Sequence, residues 1–382
     1  MNYQQRIERA RAQMERLGID LLYLAPGANA QYLSGWRRNR PHFGNVNYPG
    51  GWVQGLFLGL RHGPILAVPR MVAEFDLEPT ATLDVRVLPD QADPHEFLGA
   101  LLREFEPRIG AIAIENRAWS EQTLALRQVR PDLEVRLVSE VLAPLRQVKE
   151  AEELEAMQSA ARIVDLAMTD IMRFLSPDSG QTELDVAYEI DRLLVRHGAD
   201  GSSFVTNVWQ MGSGEKRALA MKASRRPLER GNSLSFDFGS TIGGYCYDFG
   251  RSVWLGEPPP EYRTVHALVM SAAQRGIEAL QAGQRTAEEV NALAREVIED
   301  GGYGDWFRHR LGHGIGLDVH EPPYLDRGDR SVLEQGMCFT VEPSIFIPGK
   351  FGARTEDVVV VGGSEGGRVL TTYRRDLQLV AG

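Results

Sequence analysis

Asp237 and Asp248 form one acidic pair and Glu342 and Glu356 another, and between them the chain carries His313 within Gly312-His313-Gly314-Ile315-Gly316. Four carboxylates crowded into a partly buried pocket repel one another and raise each other's pKa until protons or cations neutralise them. Two divalent ions cancel the four charges, and His313 adds a neutral nitrogen ligand. A water held between two such ions loses a proton near neutral pH, which is the chemistry of a metal-dependent hydrolase. Oxygen-rich ligation with one imidazole suits Mn²⁺, Co²⁺, Fe²⁺ or Zn²⁺ alike.

The spacing within each pair predicts how the carboxylates meet. Asp237 lies in Ser233-Leu234-Ser235-Phe236-Asp237-Phe238 and Asp248 in Tyr245-Cys246-Tyr247-Asp248-Phe249, both strand-like runs, and their midpoint falls on Ile242-Gly243. A hairpin folded there sets the two aspartates opposite each other, with Cβ atoms ~5 Å apart. Glu342 and Glu356 repeat the arrangement about Gly349 in Pro348-Gly349-Lys350. Taken alone, an acidic residue in a strand is usually a solvated face residue, and Gly-His-Gly is usually a turn. The aspartates, however, sit among Phe236, Phe238, Tyr245, Tyr247 and Phe249, where a charge is costly unless paired or bound to a metal. The two cysteines, Cys246 and Cys338, lie in apolar runs beside these segments and read as reduced core residues, with a Cys246 thiolate ligand as the minor alternative.

With these motifs the chain resembles the pita-bread metallohydrolases of peptidase family M24, which include methionine aminopeptidases, Xaa-Pro aminopeptidases, prolidases and creatinases. The paired aspartates match, the run from Gly312 to Pro323 (GHGIGLDVHEPP) is similar to the prolidase-type histidine motif, and Thr340-Val341-Glu342-Pro343 and Arg354-Thr355-Glu356-Asp357 match the two glutamate motifs. The resemblance implies that Asp237 holds one metal, that His313 and Glu342 hold the other, and that Asp248 and Glu356 bridge them. It implies that His320 hydrogen-bonds the substrate or the tetrahedral intermediate, against the plainer reading of a loop cap before Glu321-Pro322-Pro323. Arg354, two residues before Glu356 and so on the same strand face, would hold a bridging carboxylate in place, against the plainer reading of a surface residue in a turn.

One departure stands out. Peptidases and creatinases of this family carry a further histidine before the first metal aspartate, and counting to its place from Ser213-Gly214 lands on Met221; no histidine occurs between His197 and His266. Glu215, Lys216, Arg217 and Lys222 are the polar groups nearby, each also readable as a solvated loop charge. The loss argues against creatine hydrolysis. The expected activity is hydrolysis of the peptide bond before proline, with Glu342 or Glu356 taking the proton of the attacking water and His320 stabilising the oxyanion. The alternatives are cleavage of a C–N bond in a small amide, ureide or cyclic amidine, and a catalytically inactive scaffold, which the complete ligand set disfavours.

Composition fits an ordinary globular protein. The 382 residues are 25% charged and 43% hydrophobic, with a net charge of −10 and no basic run, which leaves no electrostatic footprint for nucleic acid or an anionic membrane. The start, Met1-Asn2-Tyr3-Gln4-Gln5-Arg6, opens a charged helical stretch rather than an apolar signal region, and the expectation is a cytoplasmic protein. Family resemblance favours a homodimer.

The elements that must position the site fall into two predicted domains, an α/β domain over 1–145 similar to the creatinase-type amino-terminal domain and an α+β catalytic domain over 146–382. The first opens on an amphipathic helix (Ile7, Ala10, Met14, Leu17), continues with Leu21–Leu24 and has later strands at Ala111–Ile114 and Val135–Val138. Leu145–Glu153 reads as the linker. The second contains a repeat: helices opening at Thr182 and Thr286, each with an acid three residues on, each preceded by a long amphipathic helix and followed by ligand-bearing strands. That predicts a pseudo-twofold domain with strands inside and helices outside. The irregular segment 37–52, with His42 and Tyr48, is expected either to contribute to substrate specificity or to pack on its own domain as a surface loop.

Overall fold

The structure, a computed structural model, describes residues 1–37, 50–77, 83–105, 109–212 and 221–380. The chain forms two compact units, Met1–Arg146 and Gln147–Gly382. His42, Tyr48, Glu215, Lys216 and Arg217 lie outside the described residues.

The first unit is built on one six-stranded mixed sheet. Its strands are β1 (Leu21–Leu24), β2 (Gly55–Gly59), β3 (Ile65–Pro69), β4 (Asp84–Leu88), β5 (Ala111–Ile114) and β6 (Glu134–Leu137), in the order β4-β3-β2-β1-β5-β6. Helices α1 (Tyr3–Leu17), α2 (Ala28–Ser34), α3 (Arg70–Phe75), α4 (Pro94–Arg103), α5 (Ser120–Val129) and α6 (Ser139–Gln147) alternate with the strands. Helix α1 buries the apolar stripe Ile7, Ala10 and Met14, and β1 and β5, parallel neighbours, are buried along their whole length, as the continuous apolar runs require.

In the second unit the repeat is plain. Helices α7 (Ala151–Phe174) and α8 (Glu183–Arg196) precede strands β7 (Gly201–Ser202), β8 (Asn207–Met211), β9 (Ser233–Phe238), β10 (Ser240–Ile242), β11 (Tyr245–Cys246) and β12 (Phe249–Leu255). Helices α9 (Pro260–Ala279) and α10 (Ala287–Asp300) precede β13 (Gly312–Gly314), β14 (Glu321–Leu325), β15 (Cys338–Val341), β16 (Ser344–Ile347) and β17 (Phe351–Val360), with β18 (Arg368–Val369) and β19 (Leu379–Val380) closing the chain. Both second helices start in a capping box: the Thr182 N–H donates to Asp185 at 2.8 Å and the Thr286 N–H to Glu289 at 2.7 Å. Beyond the caps the same tertiary bonds recur. Glu183 and Leu184 donate to the carbonyls of Arg226 and Ser224, and Ala287 and Glu288 donate to those of Ser331 and Asp329. Thr182 bridges Pro227 as Thr286 bridges Val332.

Both halves meet in one ten-stranded sheet whose path runs β14-β13-β15-β17-β12-β9-β8. The second pair of helices covers it through Val265, Val269, Val290 and Ala294, packed with Phe339, Val341 and Val359. The central strands β9, β12 and β17 are neighbours, which brings the two halves' acidic residues to one region of the sheet.

Candidate metal centre

In the first hairpin the turn centre lies one residue later than expected, so the strands pair two residues out of the expected register. The turn is the two-residue Gly243-Gly244, with φ of 58° and 83°, between the paired Ile242 and Tyr245. Two consecutive positive φ values define the turn that best matches strand twist, and glycine adopts them at no steric cost. Asp237 therefore faces Gly250, and the same register puts Gly239 across from Asp248. The aspartates are diagonal neighbours, not the directly opposed pair that the midpoint predicted. Gly250 makes the diagonal workable. It lies between Asp237 on β9 and Glu356 on β17, and a Cβ there would meet Glu356 Oε2 at 2.6 Å.

The second hairpin pairs as expected. Ser344 faces Arg354 and Val341 faces Asp357, so Glu342 and Glu356 lie opposite each other. His313, on β13, completes the group. Its Nε2 is 3.5 Å from Glu342 Oε1 and 3.6 Å from Asp248 Oδ2. Its Nδ1 lies 3.0 Å from Gly314 O; a carbonyl only accepts, so Nδ1 carries the hydrogen and Nε2 is left to bind a cation.

The residues present fit two divalent ions. Ligand atoms of Asp237, Asp248 and Glu356 lie within 4.8 Å of one another, as do those of His313, Glu342 and Glu356, so Glu356 belongs to both groups; a third set, Asp248, His313 and His320, meets the same distance. Asp248 Oδ1 and Glu356 Oε2 are buried and, among the described residues, accept no hydrogen bond. Buried carboxylate oxygens without donors are costly unless a cation meets them. Electrostatics agree: burial, with repulsion from Asp248 and Glu342, pushes the Asp237 carboxyl up to about 6 against the pull of Arg354. Burial and the charges of Asp248 and Glu342 raise Glu356 well above the ordinary range. Burial would also raise Glu342, but Arg354 and His313 outweigh it and hold that carboxyl low.

Arg354 is buried within this cluster, its Nη1 2.8 Å from Asp237 Oδ2 and 3.5 Å from Glu356 Oε2, its Nη2 3.4 Å from Glu342 Oε2. The guanidinium thus touches carboxylates from both hairpins and is no surface turn residue. The His320 ring stands edge-on to His313, centroids 4.1 Å apart, and burial together with the neighbouring His313 lowers its pKa, keeping it neutral at neutral pH. Cys246 and Cys338 are buried thiols rather than a disulfide, and burial pushes the Cys338 thiol up to about 12, out of reach of thiolate chemistry. Met221, at the place counted for the missing histidine, is 38% exposed.

Three parts of the site had no role in the sequence reading. Gly250 left no signal, because its importance lies in a three-strand row. Thr340 accepts the His313 N–H at 3.0 Å and donates to Glu342 at 3.2 Å; its place two residues before a ligand was a visible cue. His309 Nε2 lies 2.5 Å from Ser344 Oγ while its Nδ1 donates to Arg310 O, bracing the strand that follows Glu342.

The description "Metallopeptidase family M24" matches residues 155–362, and "Creatinase/Prolidase N-terminal domain" matches residues 6–148. The chain belongs to metallopeptidase family M24. It is therefore a metal-dependent hydrolase. It is 34% identical over 364 residues to a probable dipeptidase PepE of Mycobacterium tuberculosis, spanning 94% of this chain and 92% of that protein. It is 36% identical over 245 residues to a Xaa-Pro dipeptidase of Pyrococcus furiosus, spanning 64% of this chain and 68% of that one. Among solved structures, a recombinant prolidase of Thermococcus sibiricus superposes with a TM-score of 0.87 at 30% identity, over 99% of both chains. A dipeptidase of Pyrococcus horikoshii gives 0.87 at 29% identity, over 98% of this chain and 99% of that one. These M24 relatives do not favour the alternatives of a non-peptide C–N hydrolase or an inactive scaffold. No helix among the described residues is long and apolar enough to cross a membrane.

Proposed function

We propose that this M24 enzyme hydrolyses the peptide bond preceding proline in Xaa-Pro dipeptides, with domains dividing near residue 145. The observation that carries the reading is the pair of three-residue ligand groups sharing Glu356, in a chain whose relatives include Xaa-Pro dipeptidases. Asp237 would hold one ion and His313 with Glu342 the other, with Asp248 and Glu356 available to either. Bound there, the ions supply Lewis acidity and an activated water.

The protein's own groups do the rest. Glu342 or Glu356 takes the proton of the attacking water and passes it toward the leaving proline nitrogen. Neutral His320 donates a ring N–H to the carbonyl oxygen as it gains charge. Arg354 keeps Asp237, Glu342 and Glu356 in one arrangement while that charge moves. Mn²⁺, Co²⁺, Zn²⁺ or Fe²⁺ as the ion, a homodimer and a cytoplasmic location complete the proposal; metal analysis, light scattering and cell fractionation read them separately.

The test is proline release from Xaa-Pro dipeptides and longer Xaa-Pro peptides, by protein reconstituted separately with Mn²⁺, Co²⁺ and Zn²⁺. Metal-dependent release from the dipeptides, greater than from the longer peptides, is expected. Metal-loaded protein that releases no proline from any of them would overturn the reading.

A further inference from the structure

The linker ahead of α7 has no part in the chemistry above, yet it holds one of the most deeply buried charges of the catalytic unit. Lys149 Nζ lies 2.6 Å from Glu321 Oε1, with side chains 2% and 7% exposed. Glu321 follows His320 directly and opens β14. Lys149 is anchored by its backbone, whose N–H donates to Gly336 O at 3.0 Å, and by the bridge from Val148 to Met337. Gly316 lies against the pair: a Cβ there would meet Glu321 Oε1 at 2.3 Å and Lys149 Cε at 2.9 Å. From the other side the Cys246 N–H donates to Gly316 O at 2.7 Å. The first turn of α7 reaches the first hairpin again, where Tyr245 donates its hydroxyl to Glu153 at 2.9 Å.

We infer that Lys149 and Glu321 are positioning residues, whose buried ion pair fixes the segment from Gly316 to His320 and so sets the His320 ring beside His313. The inference rests on the reading of His320 as the group that stabilises the oxyanion. Stability alone does not call for such a pair, since replacing a buried ion pair by apolar side chains of similar volume is often neutral or stabilising, whereas removing one partner strands a charge. What the pair supplies is a fixed distance and direction between the linker and the residue next to His320. A misplacement of about 1 Å at a catalytic group costs on the order of 100-fold in rate.

The experiment compares the parent with Lys149→Met, Glu321→Gln and the double variant Lys149→Met/Glu321→Met. Both single variants should melt at lower temperature and turn over more slowly. The double variant should recover the melting temperature yet stay on the order of 10- to 100-fold down in kcat with KM little changed. In a His320→Ala background the double replacement should cost nothing further. Recovery of kcat together with the melting temperature, or the same loss without His320, would overturn the inference. If the double variant does not fold, Lys149→Arg keeps the charge but not the dimensions, and should hold the melting temperature while kcat falls; unchanged kcat there would count against the inference.

A readout independent of substrate is the His320 ring resonance of the Zn²⁺-loaded protein, assigned by its absence in His320→Ala. It should move in the double variant, and an unmoved resonance would overturn the positioning role. A parent that cleaves no Xaa-Pro peptide defeats the substrate proposal alone and leaves this resonance to decide.

Discussion

The two hairpins bring carboxylates together by different geometry. In the second, Glu342 and Glu356 are direct cross-strand partners, and Arg354, two residues from Glu356, reaches both. In the first, Asp237 faces a glycine and meets Asp248 along the diagonal. Diagonal neighbours lie ~7–8 Å apart at their Cα atoms, farther than a direct pair, which leaves room for a carboxylate from a third strand. Glu356 takes that room above Gly250. One hairpin is thus self-contained, while the other depends on an empty position that the first half of the repeat leaves for the second.

Removing the carboxylates common to both ions should have the largest effect. Asp248→Ala and Glu356→Ala should each lower kcat/KM by at least about 10³-fold, the scale of losing a metal's Lewis acidity, and reduce bound metal. A Glu356→Ala enzyme within tenfold of the parent would contradict the shared role.

Filling the gap comes next. Gly250→Val puts a side chain where Glu356 now lies and should cost on the order of 10- to 100-fold in kcat/KM, with weakened metal affinity measured by titration. Normal metal affinity in that variant would mean the three-strand row is incidental.

A smaller effect concerns the metal-free protein. The Asp237 carboxyl, at about 6 in the fold, holds its proton more tightly than an unfolded aspartate at ~3.9. Its contribution to stability is therefore present at pH 4 and lost as pH rises through about 6; Glu356, raised further, acts in the same sense and Glu342 opposes it. Metal-free protein should lose on the order of 2 kcal/mol between pH 5 and 8, less in Asp237→Asn, and Mn²⁺ should restore it at pH 8. Thermal unfolding at both pH values reads this directly, and a metal-free protein more stable at pH 8 would contradict it. The smallest effect belongs to the second turn: Gly349→Ala, at φ 75°, should cost about 1 kcal/mol of stability and leave kcat unchanged.

What the sequence revealed follows the same division. Direct opposition can be read from a midpoint, and Glu342 with Glu356 met that expectation. The first register depended on which pair of residues turns, and the run Thr241-Ile242-Gly243-Gly244 offered Ile242-Gly243 as readily as Gly243-Gly244; only the second lets both central residues take positive φ. The repeat was legible because a capping box is local chemistry. Gly250 and the Lys149–Glu321 pair were not, because their partners lie over 100 residues away in the chain and glycine has no side chain to mark a role.

The most direct measurement is calorimetric titration of metal-free protein with Mn²⁺, for the parent and for Asp237→Ala. Two ions per parent chain and one per variant chain are expected, since Asp237 belongs to one ligand group and His313 with Glu342 to the other. A single ion in the parent, or two in the variant, would contradict a two-ion centre built from both hairpins.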